Sequence, residues 1–312
     1  MKRKQTRCDR RSFLQTAAPV LAALLGRTSA LRAGTLTNLT TPDEFRKRLL
    51  GPILSFPTPY TRDFKVDQQA VRNLIERALK AGVTVVTLTA GNNQYGQLTY
   101  DEIKALTRLA VETVAGRGIV IGATGPWWTG QAVDYARFAA SVGADAVQVL
   151  MSPHAGDDGH LGHYKEVAAA VPLGLVLQGH PSLALMKRLQ AIDSLVAVKE
   201  EFTSDYTAPL FKQSAGRLNI FAGGTKARFL AYQPYGMRAY YSAFATFAPE
   251  VAMRFWEPAR KATSRRPRRS LCATTCPSSS AFPIPSGGRP WSILGLPHVM
   301  YAPPRGASPT SK

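Results

Sequence analysis

Cysteine is scarce in this sequence: only Cys8, Cys272 and Cys276 occur in 312 residues. The long central part of the chain therefore has no disulfide framework to hold it together. The spacing of Cys272 and Cys276 is compatible with a disulfide or a metal ligand pair, but no second cysteine pair completes a zinc site. We interpret both as incidental and expect neither a metal nor a cofactor.

Acidic residues are almost missing from the two ends of the chain. Residues 1–33 hold eight Lys/Arg and one acid, and residues 261–312 hold eight Lys/Arg and no acid. The 227 residues between them carry 23 basic and 19 acidic side chains, so the formal charge of +19 belongs mostly to the ends. This distribution argues against a specific nucleic-acid-binding surface on the folded body.

The N-terminal segment has only a short apolar run, residues 17–25, which is too short to span a bilayer comfortably. It follows Arg10-Arg11-Ser12-Phe13-Leu14 and precedes small residues around Ala30 and Ala33. Paired arginines, a short apolar region and a small-residue cleavage zone are typical of a twin-arginine export signal. We therefore expect residues 1–33 to be a signal peptide and the mature protein to be periplasmic or otherwise extracytoplasmic. The alternative is a disordered basic leader.

From residue 51 onward, short β-rich runs alternate with amphipathic helical patterns. Helices are predicted over residues 67–82, 100–116 and 131–143, ending at Gly82, Gly116 and Gly143. The strand-like runs are residues 51–59, 83–90, 118–125, 144–153, 173–179, 194–201, 218–224 and 238–246.

Eight strands at a spacing near 30 residues predict an α/β fold, a closed (β/α)8 TIM barrel over residues 51–261, rather than a doubly wound sheet. Residues 34–50 are expected to be a linker. Residues 262–312 hold nine of the 22 prolines and show neither helical nor strand period. We predict a basic, Pro/Ser-rich, partly disordered C-terminal extension there.

Within the stretch Ser194 to Phe202, the apolar part of the sixth strand-like run ends on Lys199. In a barrel, that position faces the mouth where ligands bind. Burial disfavours an ammonium, and a neutral amine there can attack a ketone and form a Schiff base. The alternative is a structural ion pair with Glu200 or Glu201 at the rim. Position alone does not separate these two interpretations.

Several short motifs resemble the dihydrodipicolinate synthase/N-acetylneuraminate lyase family in order and spacing across about residues 51–260. They are Thr58-Pro59-Tyr60 with Val66-Asp67, Leu98-Thr99-x-x-Glu102, Ala139-x-x-x-Gly143-Ala144-Asp145-Ala146, Val198-Lys199-Glu200, and the segment from Gly236 to Glu250 that contains Ser242. The resemblance implies a TIM barrel and a strand-six lysine, here Lys199, that forms a Schiff base with pyruvate or another 2-oxo acid. It also implies a homo-oligomer.

Two parts of the expected site depart from that family. Its strand-two loop usually reads G-T-T-G-E, and here Gly91 and Asn92 stand where hydroxyl groups bind the substrate carboxylate and relay protons. Its strand-five tyrosine is replaced by Gln178, which can donate a hydrogen bond but cannot act as a general acid near neutral pH. The proton donor would then be Tyr95, His180 or His154.

The resemblance and the barrel geometry together predict a site at the C-terminal ends of the strands. The expected catalytic residues are Lys199, Gln178 and Tyr95, and the expected substrate-binding residues are Gly91, Asn92, Thr58, Ser242, His180 and Gly223. The predicted function is a Schiff-base-forming lyase or aldolase that makes or breaks carbon–carbon bonds in a small 2-oxo acid.

Two alternatives stay open at this point. In one, the barrel binds a small acid but has lost the proton relay. In the other, histidines and aspartates after the fourth and fifth strands hold a metal that polarises the substrate carbonyl. The candidate ligands for such a metal are His154, Asp157, Asp158, His160, His163 and His180.

Overall fold

A computed structural model describes residues 40–152, 155–202, 204–224 and 226–265 of the chain. The predicted signal peptide, the residue His154 and nearly all of the predicted C-terminal extension lie outside these residues.

Eight parallel strands close into a barrel in the order β1 to β8, with β8 paired to β1. This confirms the predicted TIM barrel. The strands are β1 (Gly51–Leu54), β2 (Val85–Thr87), β3 (Ile119–Ala123), β4 (Ala146–Leu150), β5 (Gly174–Gln178), β6 (Leu195–Glu200), β7 (Asn219–Ala222) and β8 (Ala239–Tyr241).

Helices surround the barrel and alternate with its strands. They are α1 (Pro42–Arg48), α2 (Gln68–Ala81), α3 (Tyr100–Val114), α4 (Thr129–Ser141), α5 (Asp157–Ala170), α6 (Leu183–Leu189), α7 (Ser204–Ser214), α8 (Lys226–Tyr232), α9 (Phe244–Phe247) and α10 (Pro249–Arg265). Short 3-10 helices occupy Tyr95–Gln97 and Gln233–Tyr235. No helix within the described ranges is long and apolar enough to cross a membrane.

Glycine ends α2, as predicted: Gly82 has a φ of 99°, in the left-handed region where a side chain is strained. The end of α3 differs from the prediction, because Ala115, with a φ of 48°, takes the left-handed cap one residue before Gly116.

The segment expected to be a linker contains a helix, and that expectation is wrong for residues 42–48. Thr41 and Glu44 form a reciprocal capping box at the start of α1, which satisfies backbone donors that the first turn leaves free. Phe45 and Leu49 are fully buried and pack with the side chains inside the N-terminal end of the barrel. The Nδ2 of Asn219 on β7 donates to the carbonyls of Arg46 and Leu49. The helix therefore closes the bottom of the barrel.

Two separate apolar layers follow from the alternation of side chains along each strand. One layer fills the barrel interior and includes Ile53, Val85, Ile121 and Phe221. The other layer lies between the strands and the surrounding helices. Residues two apart on a strand face the same side. A residue two positions after an interior residue, toward the C-terminal end of its strand, therefore also faces the barrel interior and can reach the mouth.

Strand β6 breaks this alternation at one point. Leu175 on β5 pairs with Leu195, but the next residue, Val176, pairs with Ala197, so Val196 is an extra residue on β6. Leu195 packs outward, whereas Val196 and Ala197 both pack inside the barrel. After this bulge Val198 faces outward and Lys199 faces inward.

We predict that Phe45→Ala destabilises the protein by about 3–5 kcal/mol, because it empties a buried position at the bottom of the barrel. Phe64→Ala is the matched control, since Phe64 is 88% exposed and its loss should cost at most about 0.5 kcal/mol. Urea unfolding followed by circular dichroism measures both. Equal midpoints for the two variants would contradict the assignment of α1 to the barrel.

Candidate active site

A cavity of about 890 Å³ opens at the C-terminal ends of the strands. This is within the size range of small-molecule sites. Its lining side chains and glycines come from β1, β2, β5, β6, β7 and β8 or the loops that follow them: Ser55, Pro57, Thr89, Gly91, Asn92, Gln178, Lys199, Glu201, Gly223, Gly224, Tyr241, Ser242, Ala243, Thr246 and Phe247.

Lys199 is only 7% exposed, and it reaches the cavity from β6. Its Nζ lies 3.1 Å from Oε2 of Glu201 and 4.8 Å from the centroid of the Tyr241 ring. The sequence left open whether this lysine lines a substrate cavity or pairs with a glutamate. The structure combines the two, because the ion pair with Glu201 lies inside the cavity wall.

Glu200, the neighbouring glutamate, has a different environment. It faces outward and is fully buried, and its Oε1 accepts hydrogen bonds from Thr207 Oγ1, Phe202 N and Arg228 Nη1. Hydrogen-bond donors together with an opposite charge, here that of Arg228, are what a buried carboxylate requires. Glu200 therefore anchors the helices that follow β6 and β7 and does not reach the cavity.

Gln178 lies beside Lys199, since the two residues are partners in the register of β5 and β6. Its Oε1 accepts a hydrogen bond of 2.7 Å from Nε2 of the buried Gln148. Gln148 Oε1 in turn accepts from the hydroxyl of Tyr241 at 3.0 Å. The series of hydrogen bonds from Tyr241 through Gln148 thus occupies the Oε1 acceptor of Gln178. The Nε2 of Gln178 is left as a donor for a ligand.

Tyr241 and Gln148 were not among the residues predicted from the sequence. Both follow interior residues by two positions, Tyr241 after Ala239 and Gln148 after Ala146, so alternation from the interior layer could have indicated them. The Tyr241 hydroxyl is buried, which raises its pKa well above the ordinary value. It acts here as a hydrogen-bond donor that fixes the two glutamines.

The loop after β2 forms one polar side of the cavity. Nδ2 of Asn92 donates to Oγ of Ser55 at 3.0 Å, and the space where Gly91 would carry a side chain is open. Asn93 fixes the loop from behind: its Oδ1 accepts from Thr89 N at 2.7 Å. After β8, which neighbours β1, the Ser242 Oγ is buried and has no hydrogen-bond partner among the described residues. These groups can hold a carboxylate.

Three of the nine predicted site residues do not line the cavity. The Thr58 hydroxyl donates to the Asn93 carbonyl at 2.7 Å and supports the loop. The Tyr95 hydroxyl donates to the Ala123 carbonyl at 3.2 Å, its ring stacks on Trp127, and burial raises its pKa well above the ordinary value. The His180 ring stacks on Phe202, 4.4 Å between centroids. This geometry does not support Tyr95 or His180 as the proton donor.

The described candidates for a metal site are dispersed. Asp157 and Asp158 bond Ser182 and Arg188, and His163 is buried on α5 with its Nδ1 3.0 Å from Thr129 Oγ1. Within the described part of the chain, no group of three or more histidine, cysteine, aspartate or glutamate side chains is placed to hold a metal ion.

Residues 48–266 match the model of the dihydrodipicolinate synthetase family. The chain belongs to this family. The match covers the whole barrel and confirms the resemblance that the sequence motifs indicated.

Curated relatives of this chain include the "Probable 5-dehydro-4-deoxyglucarate dehydratase 1" of Streptomyces coelicolor, which is 30% identical over 226 residues. These residues are 68% of this chain and 71% of the relative. The 4-hydroxy-tetrahydrodipicolinate synthase of Phenylobacterium zucineum is 27% identical over 219 residues, 67% of this chain and 74% of the relative. The "Probable 5-dehydro-4-deoxyglucarate dehydratase 2" of Streptomyces avermitilis is 33% identical over 215 residues, which are 65% of this chain and 64% of the relative.

Solved structures show the same fold. The dihydrodipicolinate synthase from Aquifex aeolicus superposes with a TM-score of 0.64 at 24% identity, covering 70% of this chain and 77% of the other. YagE of Escherichia coli K12, solved in complex with pyruvate, gives a TM-score of 0.61 at 22% identity. The superposition covers 69% of this chain and 76% of YagE. The family places this chain among Schiff-base lyases and aldolases that act on pyruvate or related acids. The non-catalytic and metal-dependent alternatives are not favoured.

We predict that Tyr241→Phe destabilises the protein by about 1–3 kcal/mol, since it removes the donor to the buried Gln148 Oε1. Tyr60→Phe is the control, because the buried Tyr60 hydroxyl has no partner among the described residues and its removal should be close to neutral. Chemical denaturation compares the two. Equal losses in both variants would contradict the hydrogen-bonded chain that positions Gln178.

Proposed function

We propose that this protein is a dehydratase that acts on a six-carbon 2-oxo acid of the 5-dehydro-4-deoxyglucarate type, through a Schiff base at Lys199. The observation that carries the proposal is the nearly buried Lys199 side chain, which lines the cavity that opens at the C-terminal ends of the strands. Relatives that bear the dehydratase name support the choice of substrate class.

The chemistry follows from the substrate that the name describes. Its ketone at C5 adjoins the C6 carboxylate, C4 is a methylene, and C3 carries a hydroxyl group. The neutral Lys199 amine attacks C5, and loss of water gives an imine that acidifies the C4 hydrogens. Loss of a C4 proton and of the C3 hydroxyl then releases a second water, and hydrolysis of the imine consumes one water and frees the lysine. The net change is the loss of one water.

Cavity groups suit the binding of such a substrate. The Asn92 amide, the Ser242 hydroxyl and the backbone around Gly91 would bind the carboxylate next to the ketone. The Nε2 of Gln178 would donate to the oxygen at C5, the role that the resemblance gives to a strand-five tyrosine. A hydrogen-bond donor is sufficient there, provided that another group transfers the proton.

Borohydride trapping tests the Schiff base. With pyruvate or 5-dehydro-4-deoxyglucarate and borohydride, the intact mass should rise by one reduced adduct, located on Lys199 by peptide mapping and lost in Lys199→Ala. Lys226→Ala is the matched control: burial lowers the pKa of Lys226, which makes it the rival amine near the mouth, yet the adduct should persist.

Turnover separates the finer alternatives. Wild-type protein should consume 5-dehydro-4-deoxyglucarate with loss of water, and Lys199→Ala should be at least about 10³-fold slower, since covalent catalysis is removed. An adduct with pyruvate but no dehydration would redirect the assignment to aldol-type chemistry. An adduct on Lys226 alone, or none at all, would overturn the proposal.

We further propose that the chain is exported by the twin-arginine route and cleaved so that the mature protein begins between residues 31 and 34. The support is the run Arg10-Arg11-Ser12-Phe13-Leu14 ahead of a short apolar segment. Fractionation of bacteria that express the full chain should place the protein in the periplasm, and Arg10→Lys/Arg11→Lys should retain it in the cytoplasm uncleaved. Equal distribution of both proteins would refute this route.

Self-association is likewise a proposal, implied by the family. Two large side chains near the surface, Trp128 at 74% and Leu230 at 50% exposure, offer apolar contact area. Sedimentation velocity of the purified chain decides between monomer and oligomer.

A further inference from the structure

The cavity lacks an obvious group to move the proton that the proposed reaction requires. Gly91, Asn92 and Gln178, which stand where the family's hydroxyl groups are expected, do not titrate near neutral pH. Among the described residues that line the cavity, the titratable side chains are Lys199, Glu201 and Tyr241. Lys199 is committed to the Schiff base, which leaves Glu201 and Tyr241 as the described cavity side chains that could move the proton.

Tyr241 does not suit the role of base. Its hydroxyl donates to Gln148 Oε1, and burial raises its pKa well above the ordinary value, so the phenol stays protonated at neutral pH. Its ring lies beside the lysine and its proton points to the opposite side of the barrel, toward Gln148.

Glu201 is placed differently. Its Oε2 lies 3.1 Å from Nζ of Lys199, and the carboxylate is 43% exposed, open to the cavity. The side chain crosses over Gly223, the residue that follows the neighbouring strand β7: a Cβ at Gly223 would lie 2.4 Å from Glu201 Cγ and 2.7 Å from Cδ. Gly223 thus keeps free the space that holds this carboxylate beside the lysine.

We propose that Glu201 is the general base of the reaction, an assignment that rests on the proposed Schiff base at Lys199. Glu201 first accepts a proton from the Lys199 ammonium and releases the amine, which attacks the ketone. The protonated Glu201 then gives this proton to the carbinolamine hydroxyl, which leaves as water, so the imine forms in its protonated state and Glu201 is again a carboxylate. After the imine forms, the carboxylate takes a proton from the carbon next to the imine carbon, and the C–H electron pair forms the enamine. The protonated Glu201 then gives that proton to the departing hydroxyl, which leaves as water.

The short distance between the Glu201 carboxylate and Nζ of Lys199 supports this order of proton transfers. The carbon to be deprotonated is two bonds from the lysine nitrogen, so a carboxylate in contact with Nζ is within reach of its hydrogens. One carboxylate serving both proton transfers also removes the need for the missing hydroxyl relay.

Deuterium exchange into pyruvate isolates this step from turnover. Full-length protein and pyruvate are incubated in D2O, and deuteration of the methyl group is followed by NMR while borohydride trapping quantifies the adduct at equilibrium. Glu201→Gln should keep the adduct within about twofold of wild type and lower the exchange rate per adduct by at least about 100-fold, the low end for loss of a general base. Glu201→Asp should restore part of the rate.

Controls separate catalysis from structure. Glu257→Gln removes a surface carboxylate that pairs with Arg260 and should change neither reading. If the deuterium exchange rate per adduct in Glu201→Gln is within about threefold of wild type, the assignment of Glu201 as the general base is overturned. If the amount of adduct and the exchange rate fall in equal proportion in both Glu201 variants, Glu201 only positions Lys199. That result also overturns the assignment of Glu201 as the general base. Absence of an adduct in wild type would instead refute the proposed function.

Discussion

The extra residue that β6 carries at Val196 decides which side of the barrel the rest of that strand serves. Strict alternation from Leu195, which packs outward, would put Lys199 among the helices, where an unpaired ammonium is costly. The bulge lets Val196 and Ala197 both face inward, and this exchange of faces brings Lys199 into the cavity and Glu200 to the outside. Glu201 follows Lys199 by two positions and therefore faces the same cavity. The chemistry depends on this one irregularity.

The polar interior above the apolar layer is stable because its groups satisfy one another. Gln148 lies fully buried between Tyr241 and Gln178 and bonds both through its two amide ends. Such a chain fixes amide orientations that are otherwise interchangeable, and a buried amide without partners would be costly. It also explains how a glutamine can stand where the resemblance expects a tyrosine: the phenol is supplied from β8 as a support, and the glutamine presents a donor to the ligand.

Much of this arrangement could be predicted from the sequence, for identifiable reasons. The period-two strands, the period-3.6 helices and the glycine ends predicted the barrel, and the position of Lys199 at a strand end placed it at the mouth. The capping box of Thr41 and Glu44 before Phe45 was a signal for α1 that the linker interpretation overlooked. The roles of Thr58 and Tyr95 could not be predicted, because whether a side chain near a strand end supports a loop or faces a ligand depends on tertiary contacts. Likewise, the sequence could not choose between Glu200 and Glu201 as the partner of Lys199. Alternation puts the two glutamates on opposite faces, but the bulge at Val196 decides which face meets the cavity, and that bulge has no local signature.

The most direct measurement is a crystal structure of the protein after reduction with borohydride in the presence of pyruvate. The account predicts continuous electron density from Nζ of Lys199 to the second carbon of pyruvate, with the carboxylate against Asn92 and Ser242 and the methyl carbon facing Glu201. A Lys199 side chain that points outward among the helices, or a reduced adduct joined to another amine, would contradict it.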